Sequence, residues 1–390
     1  MMGKKERHAY LDAIRRRYRR ADRKAKGAIL NEFCKVCGYN RKYAIRILNH
    51  RPTPSSSRHI GRKPIYRDEE LINALKRIWF ASDQMCSKRL VEVIGLWLPY
   101  YQTHYGTLTA ETRMHLLSIS PASIDRALRD VRVKQGKGRC TTRPGTLLRN
   151  QIPIRTHHWD VTQPGFVEAD TVAHCGNSIA GEYVWSLTFT DILTTWTENR
   201  ATWGKGSIGV LDQIKNIEKK VPFKLKGFHC DSGTEFLNNH LLRYFTDRPK
   251  VVSFTRSRPY KKNDNAHVEQ KNWSHVRQLL GYDRLDQHEL VPMINDLYSN
   301  EWSLYQNHFC PTLKLVEKTR INSKYRKKYD KPKTPYQRIM ESEHIDKQTK
   351  QKLKSVHLQL DPFKLKADIE RKTRLIFRLV KVTSNVRQRI

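Results

Sequence analysis

The chain has 390 residues, enough for two to four compact units, and its 74 lysines and arginines against 38 acids give a formal net charge of +36. Such an excess of positive charge is self-repulsive and indicates a polyanionic partner. The cations are spread along the whole chain, no stretch approaches the length of an apolar membrane span, and no apolar segment follows the basic N-terminus. We therefore expect a cytoplasmic, nucleoid-associated protein without a membrane span or a secretory signal.

The first 50 residues predict a small helical unit. Leu11 and Ile14 recur at helical spacing beneath a strongly basic outer face. A turn at Gly38 separates this part from a second short basic helix that begins near Asn40. Helix, glycine turn and basic helix together resemble a helix-turn-helix, so we predict that residues 1–50 bind DNA.

Residues 51–64 predict a linker, because they hold three prolines and three consecutive serines. Arg58, Arg62 and Lys63 lie around Gly61 in this polar segment. Extended basic arms between DNA-reading units commonly lie in the minor groove, where narrow A·T tracts concentrate negative potential. An unstructured tether that adds only non-specific attraction explains the three cations equally well, and the sequence leaves both interpretations open.

Residues 65–133 predict a second helix-turn-helix. Two apolar stripes with helical spacing come first, and the pair Ser120 and Pro121 has the sequence of a helix start. In the helix that follows, Arg126 and Arg129 lie on the outer face, where they would contact DNA. The alternative is a plain helical bundle with a solvated basic face.

Residues 134–155 are basic and lack periodicity, and we place the main domain boundary there. From 156 to 285, short β-prone runs appear first, among them Tyr183 to Thr190 and Ile192 to Thr197, before helices and strands alternate. This order predicts an α/β domain with a mixed sheet. Residues 286–390 are basic and mostly helical in pattern, so we predict a region for DNA binding or oligomerisation.

Three acids stand where a sheet domain can bring side chains together. Asp170 lies on the first predicted strand, Asp231 follows the strand that ends at Cys230, and Glu269 lies in the first turn of a predicted helix. Mg²⁺ prefers oxygen ligands, and two such ions about 4 Å apart can activate the attacking oxygen of a phosphodiester reaction and stabilise the leaving oxygen. Three carboxylates suit two ions with one acid bridging, so we predict a metal-dependent site.

The runs around these acids resemble the integrase core of bacterial insertion-sequence transposases and retroviral integrases. The resemblance covers Phe166 to Arg284 and includes the thirty-seven residues between Asp231 and Glu269. Its motifs are Val167 to Thr171, His229 to Phe236 and Tyr260 to Asn272. It implies an RNase H-like integrase core with a mixed sheet, preceded by all-α helix-turn-helix units and followed by a basic, largely helical C-terminal region.

The resemblance also implies a chemistry and a ligand set. Asp170, Asp231 and Glu269 would be the catalytic residues of a DDE motif and would bind two Mg²⁺ or Mn²⁺ ions. Metal-activated water would cleave a phosphodiester at each element end, and the exposed 3′-hydroxyl would join target DNA by strand transfer. The partners would be double-stranded DNA and further copies of the chain. The sequence does not indicate whether an accessory ATPase takes part.

Three other functions stay open at this point. The chain could be a nuclease of the same fold without strand transfer, a sequence-specific DNA-binding regulator with an inert core, or a basic protein that coats nucleic acid. The intact set of three acids argues against the inert core.

Several side chains near the acids have more than one interpretation. Glu168 shares a strand face with Asp170 and is an alternative ligand, although the resemblance favours Asp170. Glu235 either supports the site or only favours a helix. Trp273 is expected in the core rather than as a platform for stacking bases. The expected DNA contacts, each with a solvated surface as its alternative, are Arg256, Arg258, Lys261, Lys262, Asn263, Asn265, Lys271, Asn272 and Arg277.

Cys34 and Cys37 have the spacing of metal ligands, and His8 and His50 lie in the same unit. Retroviral integrases carry an N-terminal zinc site, but the order of these residues departs from that pattern. Both cysteines also fit the core side of the helix-turn-helix, so we do not predict zinc.

Overall fold

The structure, a computed structural model, describes residues 4–50, 65–66, 68–135, 161–230, 235–257, 266–321 and 324–387. The chain divides into two compact units, Met1–Pro64 and Ile65–Ile390. In the described parts of the chain, none of the helices combines the length and the apolar character that crossing a membrane requires.

The first unit consists of three helices, α1 (Lys4–Arg20), α2 (Arg23–Cys37) and α3 (Arg41–Asn49). Helix α2 begins at Asp22, whose carboxylate accepts a hydrogen bond from the backbone N–H of Ala25 at 2.7 Å. It ends at Gly38, which has a φ of 68° and therefore lies in the left-handed region that favours glycine. The predicted glycine turn and the helix after Asn40 are confirmed.

The second unit opens with five helices whose bounds are Glu69–Ala81 (α4), Ser87–Tyr105 (α5), Ala110–Ser118 (α6), Pro121–Ala127 (α7) and Arg129–Gln135 (α8). The predicted helix start is confirmed, because the Ser120 hydroxyl accepts from the N–H of Ser123 at 3.2 Å. These helices share one hydrophobic core with the C-terminal helices. The buried Trp97, for example, donates its indole N–H to the carbonyl of Phe309 at 3.3 Å.

A five-stranded sheet follows, with β1 at Phe166–Ala173, β2 at Val184–Asp191, β3 at Thr197–Trp203, β4 at Gly227–Cys230 and β5 at Ser253–Arg256. The strand order is β3-β2-β1-β4-β5. Strand β2 is antiparallel to both of its neighbours, β1 and β3, whereas β4 and β5 run parallel to β1. The predicted α/β class with a mixed sheet is therefore confirmed.

One face of this sheet buries the apolar core of the domain. Val167 and Ala169 point toward helices α9 (Ser207–Glu218) and α10 (Asn239–Thr246). Because side chains alternate along a strand, Glu168 and Asp170 point to the opposite face. That face is covered by α11 (Ala266–Lys271), which continues as a π-helical segment, Asn272–Arg277, and ends with α12 (Gln278–Leu280).

The predicted strand from Ile192 to Thr197 is wrong. This stretch is a turn, in which the carboxylate of Asp191 accepts from the N–H of Thr194 at 2.7 Å and Thr195 has a φ of 62°. The strand begins only at Thr197. It is rich in polar residues, which β-propensity alone does not favour. These residues are buried with polar partners: Glu198 pairs with Arg200, Asn199 donates to Thr188 of β2, and Arg200 donates to Asn216.

The C-terminal part is largely helical, as predicted. Its helices are α13 (Leu290–Leu297), a π-helical segment (Tyr298–Trp302), α14 (Ser303–Phe309), α15 (Pro335–Glu341), α16 (Lys347–Leu358) and α17 (Pro362–Arg387). The basic stretch after α14 was not assigned a structure from the sequence. It forms an antiparallel hairpin of β6 (Leu315–Ile321) and β7 (Lys324–Tyr329), here called the basic ribbon.

Candidate active site

Asp170 lies in the middle of β1 and is half-buried. Its Oδ1 accepts a hydrogen bond from the N–H of Thr171 at 2.8 Å, and its Oδ2 accepts from the Nδ2 of Asn272 at 2.7 Å. Asn272 was expected to contact DNA, and here its amide orients the carboxylate of Asp170. The second bond joins the strand to the π-helical segment, three residues after Glu269 in the chain.

Glu168 forms another link between β1 and this helix. Its buried Oε2 accepts from the N–H groups of His267 and Val268, both at 3.0 Å. These two N–H groups lie in the first turn of α11, where backbone donors have no acceptor within the helix itself. A negative charge is also favoured there by the helix dipole. Burial raises the pKa of Glu168 to about 7, the two backbone bonds oppose that rise, and the charge of Glu269 adds to it.

These contacts give the two acids of β1 different roles. Glu168 uses its carboxylate to hold the first turn of α11 against the strand, whereas Asp170 is held by a neutral amide. Glu269 lies in that same first turn and is exposed. The structure therefore places Asp170 and Glu269 on adjacent, hydrogen-bonded elements.

The third predicted acid, Asp231, lies outside the described residues. Strand β4 ends at Cys230, which pairs with Ala169, the residue before Asp170. Asp231 is the next residue in the chain. Within the described residues, no three His, Cys, Asp or Glu side chains form a group that could hold a metal ion, and Asp231 is not among those residues.

Glu235 supports β1 from the opposite face of the sheet. Its Oε1 accepts from the hydroxyl of Thr171 at 2.9 Å and is 3.0 Å from the Nζ of Lys205. The other oxygen, Oε2, is buried, and no described residue forms a hydrogen bond with it. Lys205 also lies over the ring of Trp185, at 5.1 Å. Glu235 lies in a turn ahead of α10, so it anchors the residue after Asp170 rather than forming a helix.

The structure places five of the expected DNA contacts besides Asn272. Arg126, Arg129 and Arg256 are exposed. Arg277 is half-buried and donates to the carbonyl of Ala173 at 3.0 Å. Lys271 is only 7% exposed, and burial lowers its pKa to about 7. The contacts that lie outside the described residues are Arg58, Arg62, Lys63, Arg258, Lys261, Lys262, Asn263 and Asn265.

Trp273 is not in the core, so that expectation is wrong. Its side chain is 52% exposed, although both neighbours in the helix, Asn272 and Ser274, are partly buried. The exposure of Trp273 could have been predicted from the sequence. Trp273 lies four positions after Glu269 and therefore shares its helix face.

The two cysteines of the first unit lie on the side expected from the sequence. Cys37 is buried in the core of the three helices and Cys34 packs against it. Burial raises the pKa of the Cys37 thiol.

Comparisons with known proteins add one close relative. No family model matches the chain. An uncharacterized protein of Sinorhizobium fredii, y4rM, is 39% identical over 331 residues, which cover 84% of this chain and 93% of the relative. Among solved structures, the HTLV-2 integrase catalytic core domain in complex with magnesium covers 39% of this chain and 92% of its own, with 13% identity and a TM-score of 0.28. The catalytic core domain of BIV integrase covers 46% of this chain and 96% of its own, with 14% identity and a TM-score of 0.29. By its identity and coverage with the first relative, the chain belongs to the family of the y4rM protein of Sinorhizobium fredii.

Proposed function

We propose that the chain is a metal-dependent polynucleotidyl transferase, a transposase of the integrase type that cleaves DNA at element ends and joins the 3′-hydroxyl to target DNA. The observation that carries this proposal is a set of hydrogen bonds between β1 and the helical stretch that runs from α11 into the π-helical segment. Asn272 donates to Asp170, and Glu168 accepts from the first turn of the helix that bears Glu269. These links hold the strand that bears Asp170 against the helix that bears Glu269, which supports a site built on both acids.

The residues present suit a hard divalent cation. Carboxylate oxygens are the ligands that Mg²⁺ prefers, and Asp170, Glu269 and Asp231 would hold two Mg²⁺ or Mn²⁺ ions. The Oδ1 of Asn272 is buried and has no hydrogen-bond partner among the described residues, and such an acceptor is satisfied by water of the kind that Mg²⁺ retains. When bound, the ions would activate the attacking oxygen and stabilise the leaving oxygen of the phosphodiester.

The other side chains of the site act by position. Asn272 fixes the orientation of the Asp170 carboxylate, as hydrogen bonds to metal ligands generally do. Glu168 fixes the start of α11 and with it the backbone of Glu269. Glu235 holds Thr171 from behind the sheet. None of these roles requires a covalent bond between protein and DNA.

The basic ribbon offers a surface for the DNA. It carries six lysines and arginines against one glutamate, and the side chains of Arg326, Lys327 and Lys328 are exposed. Its base is fixed by Asp330, which accepts from the N–H of Lys314 and forms an ion pair with Arg338, both at 2.7 Å. A two-stranded ribbon of this size fits the major groove.

The partners in this proposal are double-stranded DNA and further copies of the chain. Two element ends must be held together for joining, so at least two protomers would assemble on DNA. The helices of residues 4–50 and 68–135 would read the ends, and the protein would associate with the nucleoid. An accessory ATPase is neither required nor contradicted by this chemistry.

The test is a joining assay with DNA that carries the inverted repeats flanking the gene. With Mg²⁺, the full chain should release a 3′-hydroxyl end and join it to a target plasmid, and Asp170→Asn should do neither. Cleavage without joining would instead identify a nuclease. End-specific binding without metal-dependent cleavage would identify a regulator with an inert core.

A further inference from the structure

Trp273 is an exposed indole beside the candidate active site. Half of its surface is in contact with solvent, although a tryptophan ordinarily buries most of its large apolar surface. It lies in the π-helical segment Asn272–Arg277, and such segments frequently occur at functional sites. No ring contact, cation–π contact or side-chain hydrogen bond of this indole occurs within the described residues. Among the residues that the structure describes, its aromatic face therefore has no partner.

The position of Trp273 relates it to both described acids. Trp273 lies four positions after Glu269 in the chain. This spacing puts both side chains on the exposed face of one helix. Helical side chains lean toward the N-terminus of their helix, so the indole covers the turn that bears Glu269. The preceding residue, Asn272, is the one that donates to Asp170. A strand whose phosphate reaches the two acids would thus pass beside this ring.

We propose that Trp273 stacks on an unpaired nucleobase of the DNA strand that reacts at Asp170 and Glu269. This inference rests on the proposed function and specifies which form of DNA the site takes. A base in an intact duplex is covered on both faces by its neighbours, so only a frayed or flipped base offers a free face to an indole. Stacking on an aromatic side chain tolerates any base, because every base has a π-face.

The surroundings favour nucleic acid over protein as the occupant. The chain carries a net charge of +36, and the helix that holds Trp273 continues to Arg277 one turn later. Between residues 267 and 280 the exposed residues are His267, Glu269, Gln270, Trp273 and Gln278, so Trp273 is not part of a wider exposed apolar patch in this described stretch. A second copy of the chain would need a larger apolar surface for stable docking.

The experiment compares binding of two probes by the full chain without divalent metal, so that no cleavage is needed. One probe is a fully paired oligonucleotide duplex, and the other is a duplex of the same sequence with five unpaired nucleotides at one end, with 2-aminopurine in the unpaired arm. Wild type should bind the forked probe more tightly and quench its 2-aminopurine. The variants are Trp273→Leu, which keeps an apolar side chain, and Trp273→Phe, which keeps a ring.

Trp273→Leu should lose about 5- to 100-fold in affinity for the forked probe and none for the paired one, and Trp273→Phe should recover most of that loss. Tyr282→Leu is the matched control, since Tyr282 is also an exposed aromatic residue but lies after the end of the helix, under the guanidinium of Arg277. This control should leave the ratio of the two affinities unchanged.

Equal losses on both probes, or no loss on either, would overturn the proposal. A change in oligomeric state by light scattering, with an unchanged ratio of affinities, would instead assign Trp273 to a protein interface and would also overturn it. The outcome is separable from the proposed function, because a preference for the forked probe can be present even if the wild-type protein cleaves nothing in Mg²⁺.

Discussion

Strand β3 and the face of β1 that meets α11 each bury a glutamate, and the two glutamates have opposite surroundings. Glu198 of β3 forms an ion pair with Arg200 at 3.1 Å, and its other oxygen accepts from Trp196 and Ser303. Glu168 of β1 accepts from the backbone N–H groups of His267 and Val268, and burial, with a smaller contribution from the charge of Glu269, raises its pKa to about 7 against these bonds.

The different surroundings of the two glutamates suggest different roles. One buried charge stabilises the fold, and the other belongs to a functional site. A buried acid paired with arginine has its charge compensated inside the chain. A buried acid that lies near a second acid is disfavoured in its charged form, and groups perturbed in this way cluster at functional sites. We infer that β3 serves stability and that the β1–α11 contact serves chemistry, and the following predictions test that division.

The largest effect should come from the acids of the site. Asp170→Asn, Asp231→Asn and Glu269→Gln should each reduce cleavage and joining to background, because the amide replaces the charge that metal binding requires. Affinity for end DNA, measured by gel shift, should stay near that of the wild type. If one of these variants joined ends in Mg²⁺ at nearly the wild-type rate, the assignment of that residue would be wrong.

The ion pair of β3 should show the reverse pattern. Glu198→Ala leaves the guanidinium of Arg200 buried without its counter-charge, and the free energy of unfolding should fall by about 3–5 kcal/mol. Glu168→Ala removes a helix-capping acceptor and should cost about 0.5–2 kcal/mol, with little loss in Glu168→Gln. Urea denaturation of the three variants measures this. If Glu168→Ala lowered the free energy of unfolding more than Glu198→Ala does, the proposed roles of the two glutamates would be contradicted.

Acid should destabilise the second unit through its buried histidines. Burial, with help from His357, lowers the pKa of His308 to about 3, and burial, with help from Arg277, lowers that of His174 to about 3. Unfolding lets each recover a pKa near 6.5, so the unfolded state takes up protons as the pH falls from about 6.5 toward 3. When the pH falls from 7 to 5, each of the two histidines should therefore lower the free energy of unfolding by about 2 kcal/mol.

The control for this prediction is His308→Phe, which keeps a ring in the stack with Tyr336 and His357. Its unfolding free energy should depend less steeply on pH below 6.5, by up to about 1.4 kcal/mol per pH unit. An unchanged slope in urea titrations at pH 7, 6 and 5 would mean that His308 is not buried in its neutral form.

The smallest effect should come from the basic ribbon. Replacing Arg326, Lys327 and Lys328 by alanine should lower the salt slope of DNA binding by up to about 2.7, at roughly 0.9 per phosphate contact. Alanines at three exposed lysines of α16, Lys347, Lys352 and Lys354, form the matched control. If both sets of alanines lowered the salt slope equally, the basic ribbon would have no special role in DNA binding.

The features that could be predicted from the sequence are those that depend only on neighbouring residues, such as helix ends and the faces of strands and helices. Gly38 ends a helix because its backbone is left-handed, and Ser120 starts one because its hydroxyl caps an N–H. Asp170 could be placed on a strand by alternation, and Asn272 could be placed one turn after Glu269 by helical periodicity.

Features that depend on distant partners could not be predicted in the same way. Strand β3 is polar in sequence, and only its pairing with β2 and the contact of Arg200 with Asn216 of α9 show why it can be buried. The role of Glu168 depends on a helix about a hundred residues later in the chain. Trp273 was expected in the core, although its spacing from Glu269 places it on the same helix face as that exposed acid.

The most direct test of the central claim is to count Mn²⁺ ions bound to the full chain by electron paramagnetic resonance, because Mn²⁺ is detectable where Mg²⁺ is not. Wild type should bind up to two ions, and both Asp170→Asn and Glu269→Gln should lose binding. Asp283→Asn, at an exposed acid just beyond the end of α12, should bind as wild type does. Binding that is equal in all four proteins would contradict a metal site shared by β1 and α11.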